Sequence, residues 1–217
     1  MISLFMRPNR KWSPHDLLDV ARGVSAVGKP SKQTSYASPG YYLLGLLLEE
    51  VSGDPYHLVV RREVFEPLGM THTYEANNEW SGDLETLKHY AGWFDLSDND
   101  PSFEFADGGF VSTTSDLTRF GLALVENRLF KQSQTTALFF STPPETPEAQ
   151  YYQGLGPRIE LQNEEVSLAY HAGFWGVYFI ASPSEGWTAA FSLGQSGADS
   201  WSFWERSQEL IQSLPDR

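Results

Sequence analysis

Two short stretches of this chain carry side chains that could move protons at a bound substrate. The first is Tyr36-Ala37-Ser38, in which a tyrosine and a serine hydroxyl stand directly before a strongly helical segment. The second is His171-Ala172-Gly173, in which an imidazole stands beside a glycine that lets another group approach the backbone closely. We expect Tyr36, Ser38, His171 and Gly173 to line one cleft between a helical part and a sheet.

Four further sequence blocks accompany these stretches. They are Gly40-Tyr41-Tyr42-Leu43-Leu44-Gly45, Val51-Ser52-Gly53, Glu66-Pro67-Leu68-Gly69-Met70, and Gly108-Gly109-Phe110-Val111-Ser112-Thr113 followed by Asp116-Leu117. Each block alone is weakly specific, but the ordered set over residues 36–173 is specific. The set resembles the serine β-lactamase and penicillin-binding-protein superfamily, in its class C and esterase-like branch. There, Tyr-x-Asn or Tyr-x-Ser is the second motif, and Lys-Thr-Gly or His-x-Gly is the third.

The resemblance implies roles for the residues of the two stretches. In the family, a serine nucleophile is activated by a lysine one helical turn later, together with the tyrosine of the second motif, here Tyr36. Tyr36 would need a nearby cation to lower its pKa before it could accept a proton at neutral pH. Gly173 would leave room for substrate on an edge strand, and the backbone amide of Phe174 would donate to an oxyanion. His171 would hold a substrate carboxylate or orient Tyr36, and Ser38 would be a polar group of the site.

The first motif of that family, Ser-x-x-Lys, occurs nowhere in the 217 residues. The nearest pair, Ser25 and Lys29, is one residue too far apart. We therefore expect the C-terminal portion of a serine hydrolase that acts on ester, β-lactam or D-amino-acid peptide substrates and is inactive alone. Its partners would be a small acyl substrate and either a missing N-terminal segment or a second copy. The alternative is a non-catalytic binding or interaction module built on the same fold.

Hydrophobic periodicity predicts helices first and an antiparallel meander afterwards, which indicates the α+β class. Helices are predicted after the cap residue Ser13, at 39–51 with Ser38 as cap, at 54–65, from 113, at 133–140 and at 199–214. Strands are predicted at 151–161, 167–171, 177–181 and 188–193. The leucines of 43–48 cover most of their helix, so this helix is expected to be buried on nearly all sides.

The whole chain, 1–217, is interpreted as one partial β-lactamase/transpeptidase-like domain. Residues 1–35 form an N-terminal approach, residues 36–146 a mostly helical part, and residues 147–217 the antiparallel strands with a C-terminal helix. Residues 71–108 are rich in Asn, Asp, Gly and Ser, which is typical of a long irregular segment.

Composition excludes several other functions. The formal net charge of −13 argues against nucleic acid and against anionic membrane surfaces as partners. There are no cysteines, so disulfides and thiolate metal sites are excluded. The sequence shows no export signal and no stretch long enough to span a membrane, so a cytoplasmic location is expected for the chain as it stands.

Plainer interpretations of the candidate residues stay open. A tyrosine before a helix is usually a packing residue, and Ser38 is as well explained as a helix cap. His171 on a strand can be a hydrogen-bonded structural histidine, and Gly108 and Gly109 can serve turn geometry alone. The five histidines are scattered and no phosphate-binding glycine loop occurs, so no metal or cofactor is expected.

Overall fold

The computed structural model describes residues 7–25, 28–29, 36–79, 85–141, 151–163, 165–197 and 200–213. The α-helices are, in chain order, α1 Pro14–Arg22, α2 Ser38–Ser52, α3 Tyr56–Val60, α4 Glu66–Leu68, α5 Phe105–Gly108, α6 Thr114–Val125, α7 Ser133–Phe139 and α8 Ser200–Gln212. A π-helical turn, Arg61–Phe65, joins α3 to α4, and a 3-10 turn, Pro101–Phe103, precedes α5. The predicted approach at 30–35 lies outside the described residues.

Within the described residues, ten strands form three sheets beside these helices. They are β1 Tyr74–Glu75, β2 Tyr90–Ala91, β3 Phe94–Asp95, β4 Phe110–Val111, β5 Tyr151–Gln153, β6 Arg158–Gln162, β7 Glu165–Ala172, β8 Val177–Ser182, β9 Trp187–Ser192 and β10 Gln195–Ser196. The main sheet is antiparallel, in the order β5-β6-β7-β8-β9. The predicted α+β class is confirmed, with helices first and an antiparallel meander after them.

Local sequence signals fix most of the element ends. Ser13 caps α1 in a capping box with Asp16, as predicted. Thr113 caps α6, accepting from the backbone N–H of Asp116. Gly53 and Gly69 end their helices with positive φ angles of 73° and 66°, a conformation that favours glycine.

Three predicted boundaries are wrong. Ser38 is the first residue of α2 and does not cap it, because the N-cap position belongs to Ala37 and carries no side-chain hydrogen bond. The strand expected at 151–161 is a hairpin, since Gly154 turns the chain and its N–H donates to the Pro157 carbonyl at 2.9 Å. The helix expected at 54–65 begins at Tyr56 and changes to π-helical hydrogen bonding at Arg61.

The expectation that α2 is buried on nearly all sides is also wrong. Only Tyr42 and Gly45 of this helix are buried, Tyr42 in a cluster with Trp12 and Leu17 of the α1 region. A stripe of aliphatic side chains on α2 is exposed instead: Leu43, Leu44, Leu47 and Val51, at 56%, 59%, 57% and 77%. Composition showed that the helix is apolar all round, but among the described residues nothing covers this stripe.

A buried carboxylate ties α6 to the segment after α4. Asp116 is fully buried and accepts from the backbone N–H of His72 at 2.8 Å and from the Thr73 hydroxyl at 3.0 Å. Arg119, one turn later on α6, adds an ion pair to the same carboxylate.

Within the described residues, no helix is both long and apolar enough to cross a bilayer.

Glycine allows α6 to lie directly on the main sheet. A methyl group at Gly121 would overlap the Thr188 side chain of β9 and would lie 2.5 Å from the Phe179 ring of β8. The helix could not approach the two strands this closely with a larger residue at this position.

We expect Gly121→Ala to lower the free energy of unfolding by about 1–3 kcal/mol, because overpacking outweighs the better helix propensity of alanine. Urea denaturation followed by tryptophan fluorescence measures the change. Gly40→Ala is the matched control, since a methyl group there meets nothing within 4 Å. If the free energy of unfolding of Gly121→Ala is equal to or higher than that of Gly40→Ala, this account of the helix–sheet contact is contradicted.

Candidate active site

The first predicted pair of residues meets where α2 begins and β7 ends. The Tyr36 and His171 rings have centroids 5.8 Å apart and are tilted by 49°. The centroid of the Tyr41 ring, one turn into α2, lies 5.5 Å from that of Tyr36. Tyr36 is half exposed and His171 is partly buried, so the pair stands at the rim of the helix–sheet junction.

Motif three was expected on an edge strand, and this expectation needs correction. β7 is the central strand of the main sheet, flanked by β6 and β8. However, pairing with β6 stops at Tyr170 opposite Arg158, whereas pairing with β8 continues to Ala172. His171 and Ala172 therefore extend past the end of β6. Among the described residues, this end of β7 has a neighbouring strand only on its β8 side.

The third-motif glycine begins a tight turn between β7 and β8. The Gly173 N–H donates to the Val177 carbonyl at 2.7 Å, and the Gly176 N–H donates to the Gly173 carbonyl at 3.0 Å. Gly176 has a φ of 77°, and a methyl group there would lie 2.7 Å from the Gln195 carbonyl oxygen. Phe174, the predicted oxyanion donor, lies in this turn with its side chain 45% exposed.

Sequence reasoning missed Asp107, whose charge acts on several groups of this site. Burial raises the pKa of Asp107, and the Ser38 side chain and His171 offset this only in part. The Asp107 charge in turn raises the pKa values of Tyr36, Tyr41 and Tyr42. The only available signal was an acidic residue directly before Gly108 in a block otherwise made of small and apolar residues.

The electrostatics of the site hold Tyr36 protonated. Burial is the largest cause of its raised pKa, and the charge of Asp107 adds to it. The Arg158 guanidinium acts in the opposite direction but does not outweigh them. The second-motif tyrosine is therefore not poised as a base by the described residues.

Burial, with help from Arg158, lowers the pKa of His171, and Asp107 raises it to a smaller extent. The imidazole is therefore held neutral at pH 7, in a form that can both donate and accept a hydrogen bond. Arg158 was not singled out from the sequence, because only the register of β6 against β7 brings it to this end of the sheet.

A second carboxylate supports the turn that carries Phe174. The indole N–H of Trp175 donates to Glu104 Oε1 at 2.6 Å, and the His89 ring stacks on Trp175 with centroids 5.0 Å apart. Burial raises the pKa of Glu104, and the nearby Asp107 charge adds to that effect. This contact links the segment before α5 to the end of β7.

A protein-family model described as "Beta-lactamase" matches residues 4–202 of this chain. The chain belongs to the Beta-lactamase family. Within this family it is similar to Penicillin-binding protein 4* of Bacillus subtilis (strain 168), with 25% identity over 192 residues, 77% of this chain and 42% of that protein. It is also 32% identical over 130 residues to the mitochondrial serine beta-lactamase-like protein LACTB of Homo sapiens, covering 54% of this chain and 23% of that protein. The chain thus spans less than half the length of these two relatives.

Solved structures of other proteins share this fold. The D-amino acid amidase from Ochrobactrum anthropi SV3 has a TM-score of 0.76 at 22% identity, covering 95% of this chain and 66% of that one. The penicillin-binding protein from Bacillus halodurans has the same TM-score of 0.76 at 22% identity, covering 93% and 63%. The predicted family and fold are therefore confirmed, while the roles of Tyr36, Ser38, His171, Gly173 and Phe174 stay predictions.

The charges around His171 make a measurable prediction. Arg158→Gln should raise the pKa of His171, because a cation that opposes protonation is removed. Asp107→Asn should lower that pKa, because an anion that favours protonation is removed. Imidazole chemical shifts followed by NMR from pH 4 to 8 report both changes. Arg128→Gln, a substitution after α6, is the control; shifts of the same sign in the first two variants would contradict the assignment.

Proposed function

We propose that this chain supplies the tyrosine and sheet side of a serine acyl-transfer site of the β-lactamase type. The observation that carries the proposal is the meeting of Tyr36 and His171, whose ring centroids are 5.8 Å apart at the junction of α2 and β7. Two motifs 135 positions apart in sequence thereby meet at one junction, and the Ser38 side chain acts on Asp107, a further charged group of the site. Substrates are proposed to be small acyl compounds: esters, β-lactams or D-amino-acid peptides and amides.

Each residue of the proposed site has its own role in the reaction. Tyr36 transfers the proton of a serine hydroxyl once a cation offsets the Asp107 charge and lowers its pKa. His171, neutral at pH 7, orients the Tyr36 hydroxyl or a substrate carboxylate by hydrogen bonding. The turn after Gly173 presents the Phe174 amide to the developing oxyanion.

We further propose that the 217-residue chain does not turn over substrate alone. Its sequence holds no Ser-x-x-Lys, and among the described residues the Arg158 cation does not bring the pKa of Tyr36 down to its ordinary value. The exposed stripe on α2 supports this, because a second polypeptide segment carrying the serine and lysine would find an apolar surface on the helix that follows Tyr36. Leu43, Leu44 and Leu47 are each more than half exposed there.

The isolated chain is therefore expected to leave p-nitrophenyl esters, nitrocefin and D-phenylalanine amide unhydrolysed. It should also remain unlabelled by a fluorophosphonate and by fluorescent penicillin, because no serine of its sequence has a lysine at the Ser-x-x-Lys spacing. A family member that carries Ser-x-x-Lys, assayed in parallel, is the positive control. Turnover together with a covalently labelled serine in the isolated chain would overturn the proposed inactivity.

The acyl-transfer role itself is tested in a chimera that places the Ser-x-x-Lys portion of Penicillin-binding protein 4* before this chain. We expect fluorophosphonate labelling and ester hydrolysis, and we expect Tyr36→Phe to lower kcat/KM about 10²–10⁴-fold through loss of proton transfer. Tyr74→Phe is the matched control, since its hydroxyl only donates to the Thr71 carbonyl. A folded chimera that is neither labelled nor active, or a Tyr36→Phe chimera as active as Tyr74→Phe, would refute the role.

A non-catalytic binding module is the second candidate. One observation favours it: the cleft residues are brought together in a chain whose sequence lacks the nucleophile pair. A binding module should bind a penicillin or a D-amino-acid amide saturably and without turnover. The same result in the isolated chain and in the chimera that carries Ser-x-x-Lys would distinguish this function from acyl transfer.

A further inference from the structure

A cavity of about 330 Å³ lies at the end of α2 that is remote from Tyr36. Glu49, in the last turns of α2, lines it. At about 1.5 Å of rise per residue, this position is roughly 16 Å along the helix from Ser38. The volume falls within the range of roughly 300–1,000 Å³ that is typical of small-molecule sites. The cavity is therefore a second candidate site, separate from the junction of α2 and β7.

Hydrogen bonds and ring packing hold the walls of this cavity in place. The backbone N–H of Tyr56 donates to Glu49 Oε1 at 2.9 Å, and the backbone N–H of Trp12 donates to the Ser102 hydroxyl oxygen at 2.8 Å. The Tyr56 and Phe105 rings pack edge to face, with centroids 5.3 Å apart. Trp12, Tyr56 and Ser102 are buried, so much of the lining belongs to the packed interior.

A deeply buried carboxylate forms part of the lining. Glu75 is 3% exposed, and its Oε2 accepts from the Asn78 backbone N–H at 2.6 Å and from the Asn78 side-chain amide at 2.9 Å. Among the described residues, no donor is bonded to Oε1, and no lysine or arginine pairs with Glu75 or Glu49. A buried carboxylate without a counter-charge is unfavourable, so a cation that enters the cavity gains both a charge partner and an acceptor.

The Tyr56 hydroxyl is a second polar group of the cavity without a partner. The Tyr56 side chain is 8% exposed, and no hydrogen bond joins its hydroxyl to any other described residue. Burial raises the pKa of Tyr56, and the Glu75 charge adds to this effect, so the phenol lies within the field of that carboxylate. Buried hydroxyls are normally hydrogen-bonded, and this one therefore indicates where a polar group of a ligand would lie.

The charge and the rings together favour a planar organic cation. Among the described residues that line the cavity are two carboxylates and one imidazole, His57, but no lysine or arginine. The Arg10 guanidinium, which lies over the Trp12 ring, pairs with Asp16. No group of three or more His, Cys, Asp or Glu side chains suited to a metal ion occurs in the described part of the chain. An amidinium or guanidinium offers several N–H donors in one plane to carboxylate oxygens, and its flat face packs on aromatic rings.

We propose that this cavity binds a small amidinium or guanidinium ligand. Glu75 Oε1, Glu49 Oε2 and the Tyr56 hydroxyl oxygen accept from its N–H groups, and Phe105 and Trp12 contact its apolar part. The inference goes beyond the proposed function, because the residues that carry it are not those of the acyl-transfer site. The same chemistry can come from two sources, a free small molecule or the arginine side chain of a peptide.

Titration calorimetry on the full 217-residue chain at pH 7 tests the site with benzamidine, which is cationic, and benzamide, its neutral counterpart of similar shape. We expect benzamidine to bind saturably and benzamide to bind at least tenfold more weakly. Glu75→Gln should weaken benzamidine binding at least tenfold, because the amide oxygen keeps the bonds from Asn78 but the charge is lost. Glu50→Gln, at the exposed position next to Glu49, is the matched control and should bind benzamidine as the unaltered chain does.

A second measurement covers the case in which Glu75→Gln does not fold. In the unaltered chain, the indole N–H resonance of Trp12 should move on addition of benzamidine and stay in place with benzamide. The resonance of Trp93, which is 98% exposed in the turn between β2 and β3, should move with neither compound.

Nα-Acetyl-arginine methylamide separates the two sources. If it moves the Trp12 resonance at lower concentration than benzamidine does, the cavity is assigned to an arginine side chain, and the reverse order assigns it to a free aromatic cation. Either order supports the site. The inference is overturned if Trp12 responds equally to benzamidine and benzamide, if a folded Glu75→Gln variant binds benzamidine as tightly as the unaltered chain, or if neither cation binds saturably.

Discussion

The whole arrangement depends on two glycines, each of which lets two secondary-structure elements pack more closely than a larger residue would allow. Gly121 brings α6 onto β8 and β9, and Gly45 brings α2 against α5, where a methyl group would lie 2.5 Å from the Ala106 Cβ. The first contact fixes the sheet against the helices, and the second fixes α5, with Asp107 in it, against α2. Close packing at these points leaves little freedom to shift, so the ends of α2, α5 and β7 have set positions.

Charge gives the cleft its chemical character. Two carboxylates, Asp107 and Glu104, have raised pKa values, and the Arg158 guanidinium opposes the effect of the Asp107 charge on Tyr36. Desolvation and a negative neighbour both stabilise the neutral phenol, so the resting state of the site is a protonated tyrosine beside a neutral imidazole.

Local signals in the sequence predicted much of the fold, and nonlocal packing accounts for the errors. The cap at Ser13 and the start of a helix near residue 113 are written into adjacent residues, and the structure confirms them. Burial of α2 could not be read in the same way, because an apolar helix is exposed or buried according to what lies against it. Periodicity likewise missed the break at Gly154, since the residues on both sides favour strand.

In the candidate site too, local sequence motifs predicted some residues, and nonlocal packing brought in the others. The sequence motifs identified Tyr36 and His171, and the structure brings them together. Arg158 reaches the site only through the pairing of β6 with β7, a register that no short motif encodes. Asp107 carries no signal beyond its place before Gly108, and its importance is visible only in the effect of its charge on neighbouring groups.

The outer strand of the sheet has a further consequence for how such a protein evolves. Among the described strands, β9 bonds only to β8, so its outward amides and carbonyls offer a repeating ladder to any extended peptide. A ladder of this kind recognises spacing rather than side-chain identity, and many unrelated sequences satisfy it. A change of side chain in an extended segment along this border therefore leaves its backbone pairing intact.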